Sequence, residues 1–363
     1  MRWNRPGTDA GDGVTDKTGG SASEATKKAK KIATWVVVGG MTAIFLFDAL
    51  AVLLANAWER RWPVTDAALL STEEVLAWKD GAAGIIHFLN TDNSDCILLE
   101  SRGHFALVDS GWGSDNPNEH SLRPGYEQRV LDYLKAYAAG PDSRVSLDFV
   151  LPTHYHYDHA GGFPAILADP AVEVGTVYLR EMWGEPRPYE LGSWGIGENR
   201  RRIEEAALAR GFSIETHLPD RPFALGDMTI TLLNREEAPK ARGENDNSIV
   251  VLIECAGKKA LLCGDVTTMA GLERAIGQQA GPVDVVKLGH HGYTLSGSIP
   301  FLRETRPQLA VVTNDRGRVY PNVHWNLAFY ARAALFSGVR ENGLAVTISS
   351  QGKIWVTGNL HRP

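Results

Sequence analysis

The stretch LPTHYHYDHAGG, residues 151–162, sets three histidines and an aspartate within six positions, after the apolar run Leu147–Leu151 and before a glycine pair. An apolar run that breaks into polar residues and glycines reads as a buried strand giving way to a turn. Alternate residues of an extended segment point the same way, so His154 and His156 can grip one ion together, imidazole being a preferred ligand of divalent transition metals. Asp158 and His159 follow where the strand has ended, placed to face a second ion beside the first. The same punctuation recurs along the chain: Asp109 in ALVDSGWG, Asp265 in ALLCGDV, His290 and His291 in VVKLGHHG, and His324 in VYPNVHWN each close an apolar run. Strand ends along one sheet edge are where an α/β enzyme gathers its site.

The remainder of the chain is compatible with that reading. Short apolar runs bounded by turn residues (GIIHF, CILLE, FALVD) read as strands. Further strands are expected at Leu147–Leu151, Val174–Leu179, Met228–Leu233, Ile249–Glu254, Ala260–Cys263, Val283–Lys287, Leu309–Thr313, Leu344–Ile348 and Lys353–Val356. Helical spacing is expected in YEQRVLDYLKAYAAG with Gly140 as its C-cap, and at Glu198–Arg210, Thr267–Ile276 and Trp325–Phe336. Asp265 is placed to serve as a helix N-cap as well as a ligand. Hairpins followed by strands that alternate with helices give an α/β fold with two mixed sheets covered by helices on the outside.

A net charge of −6 gives no sign of a general nucleic-acid-binding surface, and no stable nucleic-acid partner is indicated. It leaves open a nucleic-acid substrate held at a metal site. Cys96, Cys255 and Cys263 lack C-x-x-C spacing and sit in apolar runs, so they read as small core residues rather than zinc ligands or a disulfide framework.

Residues 1–31 are rich in Gly, Asp, Thr, Ser and Lys and read as a disordered tail with a basic end, KKAKK. Residues 32–57 are almost wholly apolar, long enough to cross a hydrocarbon core of about 30 Å at about 1.5 Å per residue. Two readings stand: a membrane anchor, or a signal sequence cleaved near the small residues of Ala55–Ala57, against which the apolar run is long. Lysines before the span favour a cytoplasmic N-terminus and a catalytic part outside the cytoplasm. A linker, 58–83, then leads to one large domain, 84–363.

The set H-x-H-x-D-H, a preceding D-x-G, a later G-D and H-H-G resembles the signature of the metallo-β-lactamase-fold hydrolases. Residues 84–357 are most similar to the hydrolase domain of bacterial competence DNA-uptake proteins of the ComEC type. Choline-phosphate esterases that trim cell-wall teichoic acids share the segment order. The resemblance implies an αββα sandwich, here preceded by one transmembrane helix. It implies a hydrolase whose nucleophile is a water shared by two divalent ions, zinc first and manganese as the rival.

Carried over residue by residue, the resemblance makes His154 and His156 ligands of the first ion and Asp158 and His159 ligands of the second, with Asp265 bridging. By analogy with tRNA 3′-end nucleases, His324 closes the second site. His290 or His291 then acts as proton donor or oxyanion contact beside Asp158, and the reverse assignment is open. Asp109 is implied to be a non-ligand that orients its loop, with Gly111 allowing a tight turn. The family's third histidine for the first ion is absent: the matching segment reads ENDNSIV, where Asn245 and Asn247 are weak ligands. His217 is a distant substitute.

The expected substrate is a small or polymeric phosphoester, a nucleic acid or an envelope phosphodiester. Amide or lactone hydrolysis and a non-catalytic metal-binding envelope protein are the alternatives. With a single span and no polytopic channel, DNA transport is not carried over. Trp112, Trp183, Trp194 and Tyr293 are candidates for lining the substrate groove, even as a cage for a quaternary ammonium.

Overall fold

The computed structural model describes residues 18–67, 71, 74, 78, 80–114, 125–236 and 243–358. His120 and His361, to which the sequence assigns no role, lie outside these residues. The chain divides into two units, Met1–Leu50 and Ala51–Pro363.

Helix α1 runs Thr18–Glu59, so the basic KKAKK segment is helical rather than part of a disordered tail. Alanine, glutamate and lysine propagate a helix that the apolar run has already nucleated, at little cost per residue. Its portion Thr26–Glu59, whose most apolar 18-residue stretch has a mean hydropathy of 2.3, is by length and composition able to cross a membrane. The last turns of α1 belong to the second unit. There Ala51 and Ala55 are buried, and Glu59 accepts from Arg316 at 2.5 Å and from Arg340 at 3.1 Å.

The second unit is built on two sheets. The larger contains β1 (Val64–Asp66), β2 (Ala82–Phe88), β3 (Cys96–Ser101), β4 (His104–Ser110), β5 (Val145–Leu151), β6 (Val172–Tyr178), β7 (Ser213–Glu215), β15 (Leu344–Ser349) and β16 (Ile354–Gly358) in the order β1-β16-β15-β2-β3-β4-β5-β6-β7. The smaller contains β8 (Phe223–Leu225), β9 (Met228–Leu233), β10 (Val250–Cys255), β11 (Lys258–Leu262), β12 (Val285–Lys287), β13 (Leu309–Val312) and β14 (Ala333–Phe336) in the order β14-β13-β12-β11-β10-β9-β8. Each sheet is antiparallel through its hairpins and becomes parallel where helices intervene, at β4-β5-β6-β7 and β11-β12-β13-β14.

The inner faces meet in one apolar layer, where Ile86, Leu99, Val108 and Leu151 of the larger sheet pack with Val251, Leu262, Val285 and Val311 of the smaller. Outside the larger sheet, α2 (Glu127–Tyr137), α3 (Tyr157–Ala160), α4 (Phe163–Ala168), α5 (Pro188–Gly192) and α6 (Ile196–Arg210) precede a set outside the smaller: α7 (Leu272–Ala280), α8 (Ile299–Thr305) and α9 (Pro321–Tyr330). Two mixed sheets flanked by helices form the αββα sandwich.

Three expectations are corrected. Trp325–Phe336 is not one helix: α9 ends at Tyr330, and Ala333–Phe336 is a parallel strand beside β13. All four β14 residues are buried, and a short buried apolar run carries no periodicity to separate strand from helix. Helix α2 is capped at Ala138 rather than at Gly140, which lies in the following turn. Asp265 caps no helix, since α7 starts at Leu272.

Candidate metal centre

The parallel halves of both sheets end on one edge, and the chain turns there abruptly. At the end of β4, Asp109 adopts φ 58° and Gly111 φ 71°, a region in which a side chain is strained. A Cβ at Gly111 would also stand 2.9 Å from Thr91 Cβ. This turn brings the Asp109 carboxylate under the loop after β5. It accepts from Thr153 N at 2.6 Å, from Thr153 Oγ1 at 2.8 Å and from His159 Nδ1 at 2.8 Å. With Nδ1 so engaged, His159 presents Nε2 to the pocket.

His154 and His156 lie 4.8 Å apart between ring centroids, and His154 and His159 lie 4.1 Å apart. His154 Nδ1 is 3.1 Å from Thr153 Oγ1 and 3.3 Å from Ser248 Oγ, whereas the buried Nε2 atoms of His154 and His156 have no hydrogen-bond partner. Asp158 Oδ1 and Asp265 Oδ1 are likewise buried without one. Asp265 Oδ1 stands 3.2 Å from His159 Nε2 and 3.3 Å from His291 Nε2, and Asp158 Oδ2 stands 3.4 Å from His291 Nε2.

The histidine that completes this convergence is His291. The two Nε2 atoms of His159 and His291 are 3.1 Å apart. In GHHG, His290 and His291 both take left-handed backbone, φ 48° and 49°. Such a pair of non-glycine residues is costly and persists only where surrounding contacts impose it. The turn sends the two side chains apart: His291 is buried in the cluster, while His290 is partly exposed, with Nδ1 3.2 Å from the Thr294 carbonyl.

His324, expected as a ligand, is not brought into the cluster. It sits on α9 with Nε2 2.8 Å from the Arg316 carbonyl and its ring against Phe336. His217 is also elsewhere, in a groove of about 410 Å³ with Arg180, Trp183 and Arg235.

Two buried groups absent from the sequence reading belong to the centre. Asp95 lies just before β3 and Lys287 ends β12, both fully buried and ion-paired. A lone lysine within the apolar run VDVVKLG was the signal for the second. Asp95 offers no comparable signal, because it opens a strand rather than closing one.

Four buried aspartates (95, 109, 158 and 265) face one buried lysine, so the pocket attracts cations. Burial alone would lower the His159 imidazole, but Asp265, Asp109 and Asp158 outweigh it and hold its pKa at about 10; His291 is driven up in the same way by Asp265 and Asp95. His154 and His156 are instead pushed down by burial, which keeps their lone pairs available. Neutral imidazoles with unpartnered nitrogens, beside buried carboxylate oxygens, are a donor set suited to a divalent cation.

In place of the missing third histidine, Asn245 Oδ1 and Asn247 Oδ1 are buried without partners. Asn247 Nδ2 donates to Glu244 Oε2 at 3.3 Å, and Glu244 is held by Arg180 at 2.5 Å. Glu244 and Asn247 border a cavity of about 100 Å³ lined also by Trp183, Arg187 and Ile196. Trp194 stacks on His156 at 4.8 Å and on Trp112 at 6.2 Å, Trp183 covers Arg180, and Tyr293 meets Tyr320 edge-on. Tyr293 also meets the His291 ring at 6.3 Å, so the candidates Trp194 and Tyr293 flank the histidine cluster rather than form the anticipated cage.

The chain is 25% identical over 228 residues to ComE operon protein 3 of Bacillus subtilis, covering 63% of this chain and 26% of that protein. It is 30% identical over 233 residues to Recombination protein 2 of Haemophilus influenzae, covering 63% and 24%. It thus spans about a quarter of the length of these curated relatives. Among solved structures, the metallo-beta-lactamase fold protein YhfI of Bacillus subtilis is similar with a TM-score of 0.45 and 13% identity, over 72% of this chain and 98% of that one. The family description Metallo-beta-lactamase superfamily matches residues 89–303, well over half of the chain. With its αββα sandwich and the His and Asp cluster at the shared sheet edge, the chain belongs to the metallo-beta-lactamase superfamily.

Proposed function

We propose that this protein is a metal-dependent phosphodiesterase, held at a membrane by α1 with its hydrolase domain outside the cytoplasm. The observation that carries the metal dependence is the convergence of unpartnered buried donors at His154, His156, Asp158 and Asp265 with the facing Nε2 atoms of His159 and His291. In this reading His154 and His156 would hold a first ion and Asp158, His159 and His291 a second, with Asp265 available to either. Two divalent ions, zinc or manganese, would activate a shared water and draw charge from a phosphoryl oxygen.

The chain's own residues do the rest. Asp109 fixes the His159 ring through Nδ1, and Trp194 fixes His156 by stacking. The Asn247 amide, oriented by Glu244, borders the cavity and keeps a buried oxygen without a hydrogen-bond partner. His290 lies outside the cluster with Nδ1 at the Thr294 carbonyl, and its Nε2 is the atom that would give a proton to a leaving oxygen. Arg187 beside the cavity supplies charge suited to a phosphate. Phosphodiester cleavage is favoured over amide or lactone hydrolysis by the absence of the third histidine and by similarity to competence proteins. The substrate is a nucleic acid or an envelope phosphodiester such as teichoic-acid phosphorylcholine.

The test is turnover of bis-p-nitrophenyl phosphate, p-nitrophenyl phosphorylcholine, single-stranded DNA and nitrocefin by the purified chain with zinc or manganese, alongside elemental analysis. Hydrolysis of a phosphodiester with bound metal is expected. Turnover of nitrocefin alone would overturn the reading, as would active protein free of metal.

A further inference from the structure

Asp95 and Lys287 have no part in the reaction above, yet they form a completely buried ion pair at the centre. Asp95 Oδ1 accepts from Thr313 Oγ1 at 2.6 Å and stands 3.3 Å from His291 Nδ1. Thr313 Oγ1 is itself 3.1 Å from His291 Nδ1. Since the Thr313 proton goes to Asp95, the hydroxyl turns a lone pair to the ring, and only acceptors face Nδ1. A proton therefore resides on Nδ1, which leaves Nε2, the atom that points at Asp158, Asp265 and His159, as the one a bound cation would take.

A related arrangement stands at His159, where Asp109 meets Nδ1 directly and also accepts from Thr153 Oγ1. The His291 arrangement adds Lys287. Asp95 offers an oxygen within 4.8 Å of the ligand atoms of His159, Asp265 and His291, close enough to become a ligand itself. Its Oδ2 is instead bonded to Lys287 Nζ. That ammonium also donates to the Gly264 carbonyl at 2.8 Å and lies 4.0 Å from Asp265 Oδ1, so it is fixed against the segment that carries Asp265.

We propose that Asp95 and Lys287 are a positioning pair for the second ion: Asp95 fixes the tautomer of His291 through Nδ1, and Lys287 keeps Asp95 from becoming a ligand. This rests on His291 Nε2 being a ligand atom, as proposed above.

The test uses the full chain in detergent micelles, stripped of metal and titrated with zinc against a chelator to give two stepwise affinities, with cobalt substitution as a spectroscopic reading of the ligand set. In Asp95→Leu/Lys287→Met, which removes both charges together, the second zinc should bind 10- to 100-fold more weakly with the first unchanged. In Lys287→Met alone the cobalt visible spectrum should shift, because a freed Asp95 joins the ions. Unchanged second-zinc affinity in the double variant, or an unchanged cobalt spectrum in Lys287→Met, overturns the proposal. If circular dichroism shows the double variant unfolded, Thr313→Val supplies the same measurement; weaker second-zinc binding supports the pair and wild-type binding overturns it. Wild-type binding of two zinc ions by His291→Ala would instead refute the ligand role of His291.

Discussion

His291 and His324 are distinguished by what occupies their Nε2 atoms. In His291 that atom faces Asp158, Asp265 and His159; in His324 it is bound to the Arg316 carbonyl. His291→Ala is accordingly expected to lose the second metal ion and to lower kcat/KM for the preferred phosphodiester by about 100-fold or more. His324→Ala should keep two ions and activity within a few-fold, while costing about 1–3 kcal/mol in urea denaturation through the unpaired carbonyl and the lost packing on Phe336. Metal analysis and steady-state kinetics on the two variants decide between them. The sequence made His154, His156, Asp158 and His159 legible because they lie close together and their alternation is local. It did not decide between His291 and His324, because side-chain direction there depends on two successive left-handed residues that no periodicity announces.

At the scale of elements, the site depends on turns that admit no spare atoms. A Cβ at Gly289 would lie 2.4 Å from the Val266 carbonyl oxygen, a backbone atom that cannot swing aside. Gly289→Ala should therefore displace the GHHG turn, destabilise the protein by about 1–3 kcal/mol and lower metal affinity, as read by urea denaturation and zinc titration. Helix α7 is tied to the segment before α8 by Glu273, which accepts from Gly297 N at 2.6 Å and from Ser298 N at 2.9 Å. Burial raises the Glu273 carboxyl from 4.5 to about 7, against the opposing hydrogen bonds from Ser298 and Gly297. Because the folded value lies above the unfolded one, its contribution is complete below about pH 4.5 and is lost as the pH rises through about 7. Denaturant melts of Glu273→Gln across that window should show a flatter pH dependence than wild type, by on the order of 3 kcal/mol. Strands at the hairpins were legible from composition, whereas the break of Trp325–Phe336 into α9 and β14 was not, since a fully buried strand shows no alternation.

At the scale of the molecule, the last turns of α1 belong to the hydrolase unit, through Ala51, Ala55 and the Glu59 ion pairs with Arg316 and Arg340. A chain lacking residues 1–50 should melt close to the full-length protein. One lacking residues 1–59 should melt several degrees lower, since a loss of about 1–2 kcal/mol moves the midpoint of a large domain by a few degrees. Equal midpoints by differential scanning fluorimetry would show that the helix end adds nothing to the fold. By itself the sequence determined the strand-rich α/β class, the apolar helix and the local ligand cluster, because each is written in a short-range pattern of burial or side-chain chemistry. Only the tertiary structure decided that Asp95 and Lys287 meet at the centre across 192 positions, that His291 and not His324 faces Asp265, and that one face of the last turns of α1 is buried against the hydrolase unit. Such contacts are made by the closing of one sheet upon the other, and no spacing along the chain encodes the distance at which two strand ends come to rest.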